Sequence, residues 1–404
     1  MTPVDLTGMR SLLTPDGWAL LESLPPYDEK LAIPLGERLR SEGHDAATVA
    51  AALTQSRLRA RAHDKLGPFA DAMLFTPDGL EQATRLAVAA HHARRYVGAG
   101  VQRVADLGCG LGSDAMAFAG LDRAVLAIDA DELTAAFATV NLRHWADVEV
   151  RCHDVLTLDL ESMLEPRDGV WLDPARRTSS KGGGSRRTFD PEAFSPPYSF
   201  VLDVARRFPA TGAKLAPGIA HRLLPDDAEA QWVSVHGDVV ECAVWFGPLA
   251  REGVRRSALV LDARGSAHEV LADDQADRAP VGAVGTFLHE PDGAVIRAGL
   301  VGEVAAQLGS RVFDPTIAYL TSDQPVVSPL VHSYAVEEVL PFHLKALRAL
   351  LRDRGVGTLT IKKRGSAVDP VQLRRQLRLT GDGEATIALT RVGGRPSVLL
   401  LRPL

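Results

Sequence analysis

The spacing of apolar and polar residues divides the chain into stretches of different character. Residues 1–95 read as helical, with Ala46–Leu66 rich in Ala and Leu and free of Gly and Pro. Thr76-Pro77-Asp78-Gly79 is a turn signal. The run after it sets Leu80, Ala83, Thr84, Ala87, Val88 and His91 on one helical face. From about residue 100 the pattern changes to short Val/Ile/Leu runs that end in an acid and lead into helical stretches. That alternation predicts a parallel sheet with crossover helices, lasting to about residue 220. Gln231–Val235 and Val239–Phe246, separated by His236-Gly237-Asp238, predict a terminal antiparallel hairpin. After Pro329 come a strand (Tyr334–Val339), a helix (Phe342–Arg354), a strand (Thr358–Lys362), a short helix (Pro370–Leu377) and two strands (Glu384–Arg391, Ser397–Leu401). Together they predict a small α+β unit. The expected division is a helical region 1–97, a sheet domain 98–250, a mixed connecting region 251–330 that resists parsing, and the α+β unit 331–404.

At 404 residues, 46% hydrophobic and 24% charged, the chain has material for about two to four domains. This composition excludes a disordered or disulfide-stapled protein. No apolar run approaches the roughly 18 residues of a membrane span, and the first residues, MTPVDLTGMR, lack a signal-peptide pattern. Cys109, Cys152 and Cys242 are too far apart for a metal knuckle, and the histidines lack ligand spacing, so no metal site is expected. The expected location is the reducing cytoplasm. The net charge is −6, yet residues 341–404 hold 13 Lys+Arg against 4 Asp+Glu, a net of +9, which leaves −15 for the rest. That asymmetry points to an anionic partner for the C-terminal unit.

The strongest chemical signal is Val104-Ala105-Asp106-Leu107-Gly108-Cys109-Gly110-Leu111-Gly112-Ser113-Asp114, a strand entering a glycine turn that opens a helix. Glycines allow a ligand close to the backbone, and the helix start offers unpaired N–H groups. A dinucleotide fingerprint would need Gly at position 113, where this chain has Ser. Three further strand-like runs end at Asp129, His153-Asp154 and Asp173. With Asp106 that makes four acids, spaced 23, 25 and 19 residues apart, on the strand edge where doubly wound sheets bind ligands. Asp154 taken alone also reads as a helix N-cap.

In these motifs the sequence resembles the class I S-adenosylmethionine-dependent methyltransferases over roughly residues 100–246. The fold this implies is an α/β, doubly wound, seven-stranded Rossmann-like methyltransferase sheet, here with an N-terminal helical region and a small C-terminal α+β domain. The resemblance implies that Gly108, Gly110 and Gly112 line the cofactor S-adenosyl-L-methionine, with Asp106 near its methionine amino end. It places Asp129 on the ribose hydroxyls and Asp154 on the adenine amino group. Asp173-Pro174 takes the position of the fourth motif, where the methyl acceptor sits. Enzymes that methylate exocyclic base amines carry a second Pro and an aromatic there, and this chain has Ala175 and Arg176. The acidic anchor is kept and the stacking ring is missing, so Arg176 and Arg177 become the candidates for stacking on a base or holding phosphate. Cys242 lies in an apolar run and reads as a core residue, which disfavours ring-carbon methylation.

The loop after Arg177 interleaves Lys181, Arg186 and Arg187 with Phe189, Phe194 and Tyr198, a pattern suited to gripping nucleic acid. Across its length the chain is similar to bacterial THUMP-like domain-containing methyltransferases. The segments that carry this are GLEQAT at Gly79–Thr84, DPARR at Asp173–Arg177, FLHEP at Phe287–Pro291 with Arg297-Ala298-Gly299, and the stretch from Tyr334 to Pro403. This resemblance implies that the C-terminal unit presents RNA to the methyltransferase domain, and that the region of Gln82 and Thr84 closes over the methionine end of the cofactor. Lys362, Lys363 and Arg364, with Arg374, Arg375 and Arg378, are the basic residues expected to meet RNA. The expected activity is methylation of a base in tRNA or rRNA, with Asp173, Pro174, Arg176 and Arg177 at the acceptor site. The alternatives are a small-molecule or protein methyltransferase, or a non-catalytic RNA-binding protein.

Overall fold

A computed structural model describes residues 6–175, 177–179, 185–187, 190–272 and 278–404; for 177–179 and 185–187 it describes the backbone. Arg176, Lys181 and Phe189 lie outside the described residues, as do the side chains of Arg177, Arg186 and Arg187. The chain separates into two units. One runs to Lys214 and includes Trp245–Leu249, and the other comprises Leu215–Val244 with Ala250–Leu404.

The first unit begins with helices α1 (Leu6–Ser11), α2 (Pro15–Glu22), α3 (Ala32–Ser41), α4 (Ala46–Leu66), α5 (Pro77–Gln82) and α6 (Leu86–Gly98). α4 has the expected bounds and is capped by Asp45, whose side chain accepts from Thr48 N. The expected turn at residues 76–79 is instead a helix start, with Thr76 capping α5. The single helical face expected from Leu80 to His91 is broken at Ala83–Arg85, and the buried histidine is His92.

Then follow β1 (Arg103–Leu107), α7 (Ser113–Ala119), β2 (Ala124–Asp129), α8 (Glu132–Asn141), β3 (Val148–Cys152) and β4 (Gly169–Leu172). A small hairpin, β5 (Arg177–Ser179) with β6 (Ser185–Arg187), leads to α9 (Tyr198–Arg207) and β7 (Thr211–Leu215). Five strands lie parallel in the order β7-β4-β1-β2-β3, so the direction of winding reverses at β1. The register is what builds the site. Leu107 pairs with Ile128 and Leu172, Leu172 pairs with Ala213, and Asp129 pairs with Cys152. Gly108, Asp129, Asp173 and Lys214 therefore leave their strands at one level, on the carboxyl edge.

In the second unit, β8 (Glu229–Val235) and β9 (Asp238–Trp245) form the expected hairpin, but it is not terminal, because two further strands extend the sheet beyond β8. β10 (Arg256–Leu261) runs parallel to β8, and β11 (Ala267–Ala272) antiparallel to β10. The rest is β12 (Phe287–Pro291), α10 (Gly293–Ala298), α11 (Val301–Gln307), β13 (Arg311–Val312), β14 (Leu320–Ser322), β15 (Val331–Pro341), α12 (Leu344–Asp353), β16 (Val356–Lys363), α13 (Pro370–Leu377), β17 (Gly383–Val392) and β18 (Arg395–Pro403). These strands form a seven-stranded sheet in the order β13-β14-β12-β15-β18-β17-β16. The stretch 251–330 thus supplies strands to two sheets. α12 and α13 have the expected amphipathic spacing. Leu347, Leu351, Leu373 and Leu377 bury into a core with Ile387, Leu389, Val398 and Leu400.

Candidate active site

The glycine turn after β1 needs its glycines. Gly108, Gly110 and Gly112 have φ of +91°, +56° and +87°, which L side chains adopt only with strain. Gly112 also leaves no room, because a Cβ there would sit 2.9 Å from Leu142 Cδ1. The turn is held to β2 by Asp129, whose Oδ2 accepts from Gly110 N at 2.9 Å and whose Oδ1 accepts from Asp131 N at 2.9 Å. It is held to the N-terminal helices by the buried Asn141, whose Nδ2 donates to Leu111 O and Leu74 O at 3.0 Å each.

This turn borders a cleft of about 530 Å³, a size roughly in the range of small-molecule sites. Gly108, Gly110, Asp129, Asp154 and Asp173 all line it, together with Gln82 and Thr84. Asp154 also caps a short helical turn by accepting from Leu156 N at 3.0 Å. Gly112 and Pro174 stand behind the lining. So does Asp106, which is 1% exposed, and its Oδ2 has no hydrogen-bond partner among the described residues. Burial, then the nearby Asp114, Asp173 and Asp129, push the Asp106 carboxyl well above the usual range. Burial likewise raises Asp129 and the Cys109 thiol.

Asp173, 28% exposed at the cleft, is paired through Oδ2 with the Nζ of Lys214, which is 10% exposed. The same Nζ donates to Thr84 Oγ1 at 3.0 Å and Gln82 O at 3.4 Å. Thr84 Oγ1 donates to Asp114 Oδ2 at 2.7 Å, and Asp114 Oδ1 meets His92 Nδ1 at 2.7 Å. Burial alone would raise the Asp114 carboxyl. His92, Lys214 and Thr84 outweigh it and hold the group below its ordinary value. The result is one connected polar chain, Asp173–Lys214–Thr84–Asp114–His92, running from the cleft into the core. Lys65 holds the neighbouring segment by donating to Leu80 O, Glu81 O and Ala83 O at 2.9, 2.6 and 3.0 Å. Burial, with the Lys214 charge nearby, pushes Lys65 down to about 8.

Sequence reasoning singled out Asp173, but it missed Lys214, His92, Asn141 and Lys65 as parts of this site. One signal was available. Lys214 is the charged residue in TGAKL, close to the carboxyl end of its strand.

Of the basic residues of the C-terminal unit, Lys362 and Arg364 are engaged by Glu290 at 2.9 and 3.3 Å, and Arg374 Nε donates to Leu359 O at 3.1 Å. Lys363 is exposed, as are Lys345, Arg348, Arg352 and Arg375 on α12 and α13. Among the described residues no group of three or more His, Cys, Asp or Glu could hold a metal ion, and no helix is long and apolar enough to cross a membrane.

A parallel sheet reversing at β1, a glycine turn at that point and acids on the next strand ends define a nucleoside-cofactor enzyme of the methyltransferase type. The comparisons agree. An uncharacterized S-adenosylmethionine-dependent methyltransferase of Mycobacterium tuberculosis, found in two strains, is 35% identical over 347 residues, covering 83% of this chain and 91% of that one. The chain belongs to the S-adenosylmethionine-dependent methyltransferases. A Porphyromonas gingivalis crystal structure assigned as a methyltransferase shares the fold. It covers 93% of this chain and 99% of its own, with a TM-score of 0.71 and 22% identity. Residues 331–403 match the family described as THUMP domain-like, and residues 5–62 match a domain of unknown function, DUF8688.

The residues present fit S-adenosylmethionine. Gly108 and Gly110 line the cleft without side chains, and a Cβ added at Gly108 would lie 3.5 Å from Asp173 O, the residue at the acceptor position. Ser113 Oγ, on the lining, is a buried polar atom without a partner among the described residues.

Proposed function

We propose that the protein methylates a base in RNA, with tRNA and rRNA the expected substrates. When bound, S-adenosylmethionine supplies a methyl group already activated by its sulfonium. What the protein adds is positioning. In this reading Gly108, Gly110 and Gly112 admit the cofactor against the backbone, Asp129 receives its ribose hydroxyls and Asp154 its adenine amino group. Asp106 lies near the methionine end, behind the lining. Asp173, followed by Pro174, accepts a hydrogen bond from the acceptor amino group and receives its proton. Arg176 and Arg177 stack on the base or hold its phosphate, and Lys181, Arg186 and Arg187 grip the strand.

The observation that carries the RNA reading is the outward face of α12 and α13. There Leu347, Leu351, Leu373 and Leu377 face the core, while Lys345, Arg348, Arg352, Arg374 and Arg375 are exposed. Asp353 is the one acid within these two helices. A polyanion is the chemistry such a face suits. Lys363 extends it, while Glu290 offsets Lys362 and Arg364.

Asp173→Ala tests the acceptor assignment. Transfer of methyl from S-adenosylmethionine is expected to fall by about 10²- to 10⁴-fold, with cofactor affinity by calorimetry within about threefold of wild type. A collapse of cofactor affinity would instead make Asp173 part of the cofactor site.

A further inference from the structure

We propose that Lys214 is a positioning residue for the methyl-acceptor site, orienting the Asp173 carboxylate through its Oδ2. The proposal rests on Asp173 as the residue that holds the acceptor, and it does not depend on whether the acceptor is RNA.

Register comes first. The pairing of Leu172 with Ala213 puts Asp173 and Lys214 side by side where their strands end. Lys214 is itself fixed, its ammonium also donating to Thr84 Oγ1 at 3.0 Å and to Gln82 O at 3.4 Å. A buried ammonium is costly unless it is paired. Here its carboxylate partner is 28% exposed and lines the cleft.

The charges around it argue the same way. Asp114 and Asp173 both act on Asp106 unfavourably, and Lys214 acts on both Asp106 and Asp114 in the favourable sense. Without the ammonium the Asp173 carboxylate loses the Lys214 contact and stays beside the buried Asp106, so it turns away or takes up a proton. Either change spoils its alignment with an acceptor. Thr84, Asp114 and His92 then act as the support that keeps Lys214 from following its own rotamer preferences.

The test uses the full chain and four variants, Lys214→Met, Lys214→Ala, Asp173→Ala and the Asp173→Ala/Lys214→Met double. Each is given radiolabelled S-adenosylmethionine with total RNA, protein extract and small-molecule extract from cells lacking this protein. In the pool that the wild type labels, Lys214→Met is expected to lower turnover about 100-fold, with cofactor affinity within about threefold. The double variant should be no slower than Asp173→Ala alone. Ethylamine should restore Lys214→Ala at least tenfold, which a purely structural role does not predict.

Wild-type turnover in Lys214→Met, losses that multiply in the double variant, or a loss confined to cofactor affinity would each overturn the proposal. Normal transfer by Asp173→Ala would remove the underlying reading of Asp173 as well, a pattern distinct from the others. Crystals of Lys214→Met give an answer that needs no substrate. The Asp173 carboxylate is expected to be displaced by about 1 Å or more, and a carboxylate left in place overturns the inference.

Discussion

His92 Nδ1 lies 2.7 Å from Asp114 Oδ1, with the two side chains 1% and 7% exposed. The imidazole is also packed on Trp171, with centroids 4.3 Å apart, and near Trp245 at 5.8 Å. Removing the imidazole leaves the buried Asp114 Oδ1 without this partner. His92→Ala is therefore expected to cost about 3–5 kcal/mol of stability, read by urea unfolding. The tryptophan fluorescence of the folded state should change with it. A cost below about 1 kcal/mol would mean that the pair is not a structural support of the site.

Asp106 links the site to pH. Its folded-state carboxyl is raised, so the native chain holds this proton more tightly than the unfolded chain does. The sign follows: stability is greatest below the unfolded value and falls as pH rises toward the folded value, by up to about 1.4 kcal/mol per pH unit for this group. Asp106→Asn, isosteric and uncharged, should flatten that part of the curve and raise the melting temperature of the cofactor-free protein at neutral pH. A variant less stable than wild type at neutral pH would show that the carboxylate is a favourable charge in the empty site.

The cofactor side is tested at the glycine turn. Asp129 both lines the cleft and accepts from Gly110 N. Asp129→Ala should weaken S-adenosylmethionine binding about 10- to 100-fold in calorimetry, the range for hydrogen bonds to a charged group. Gly112→Ala brings a Cβ to 2.9 Å from Leu142 Cδ1 at a positive φ, and should destabilise the fold and weaken binding together.

The basic face makes a prediction about salt. Arg348→Glu with Arg375→Glu should weaken binding of tRNA by at least tenfold near 0.1 M salt. The slope of log affinity against log salt should also shrink, by about 0.7–0.9 for each phosphate that is no longer neutralised. An unchanged slope in filter binding would place the RNA-binding surface away from α12 and α13.

What could be read from the sequence divides along physical lines. α4, α13 and the strands of the C-terminal unit are visible because their apolar positions repeat at helical or strand spacing within a few residues. The glycine turn and the acids at 106, 129, 154 and 173 are visible because each lies within two residues of the end of its own strand. The polar chain behind the site was hidden, since Lys214 is 41 residues from Asp173 and His92 is 22 from Asp114. The register of β4 against β7 brings the first pair together, and the packing of α6 on α7 brings the second. The stretch 251–330 was opaque for a similar reason. β10 pairs with β8, and β12 with β15, so each strand is completed by a distant segment. The break at Ala83–Arg85 went unseen because no Pro or Gly marks it; the hydrogen bonds from Lys65 and Lys214 hold it open.

The central claim is methyl transfer to an RNA base. It is tested most directly by supplying the purified protein with radiolabelled S-adenosylmethionine and separate tRNA, rRNA and protein pools from cells that lack it. The labelled RNA is then digested to nucleosides. The expected result is nuclease-sensitive label that migrates as a base-methylated nucleoside and falls away with Asp173→Ala. Label in the protein pool or a small-molecule fraction, with none in RNA, would contradict it.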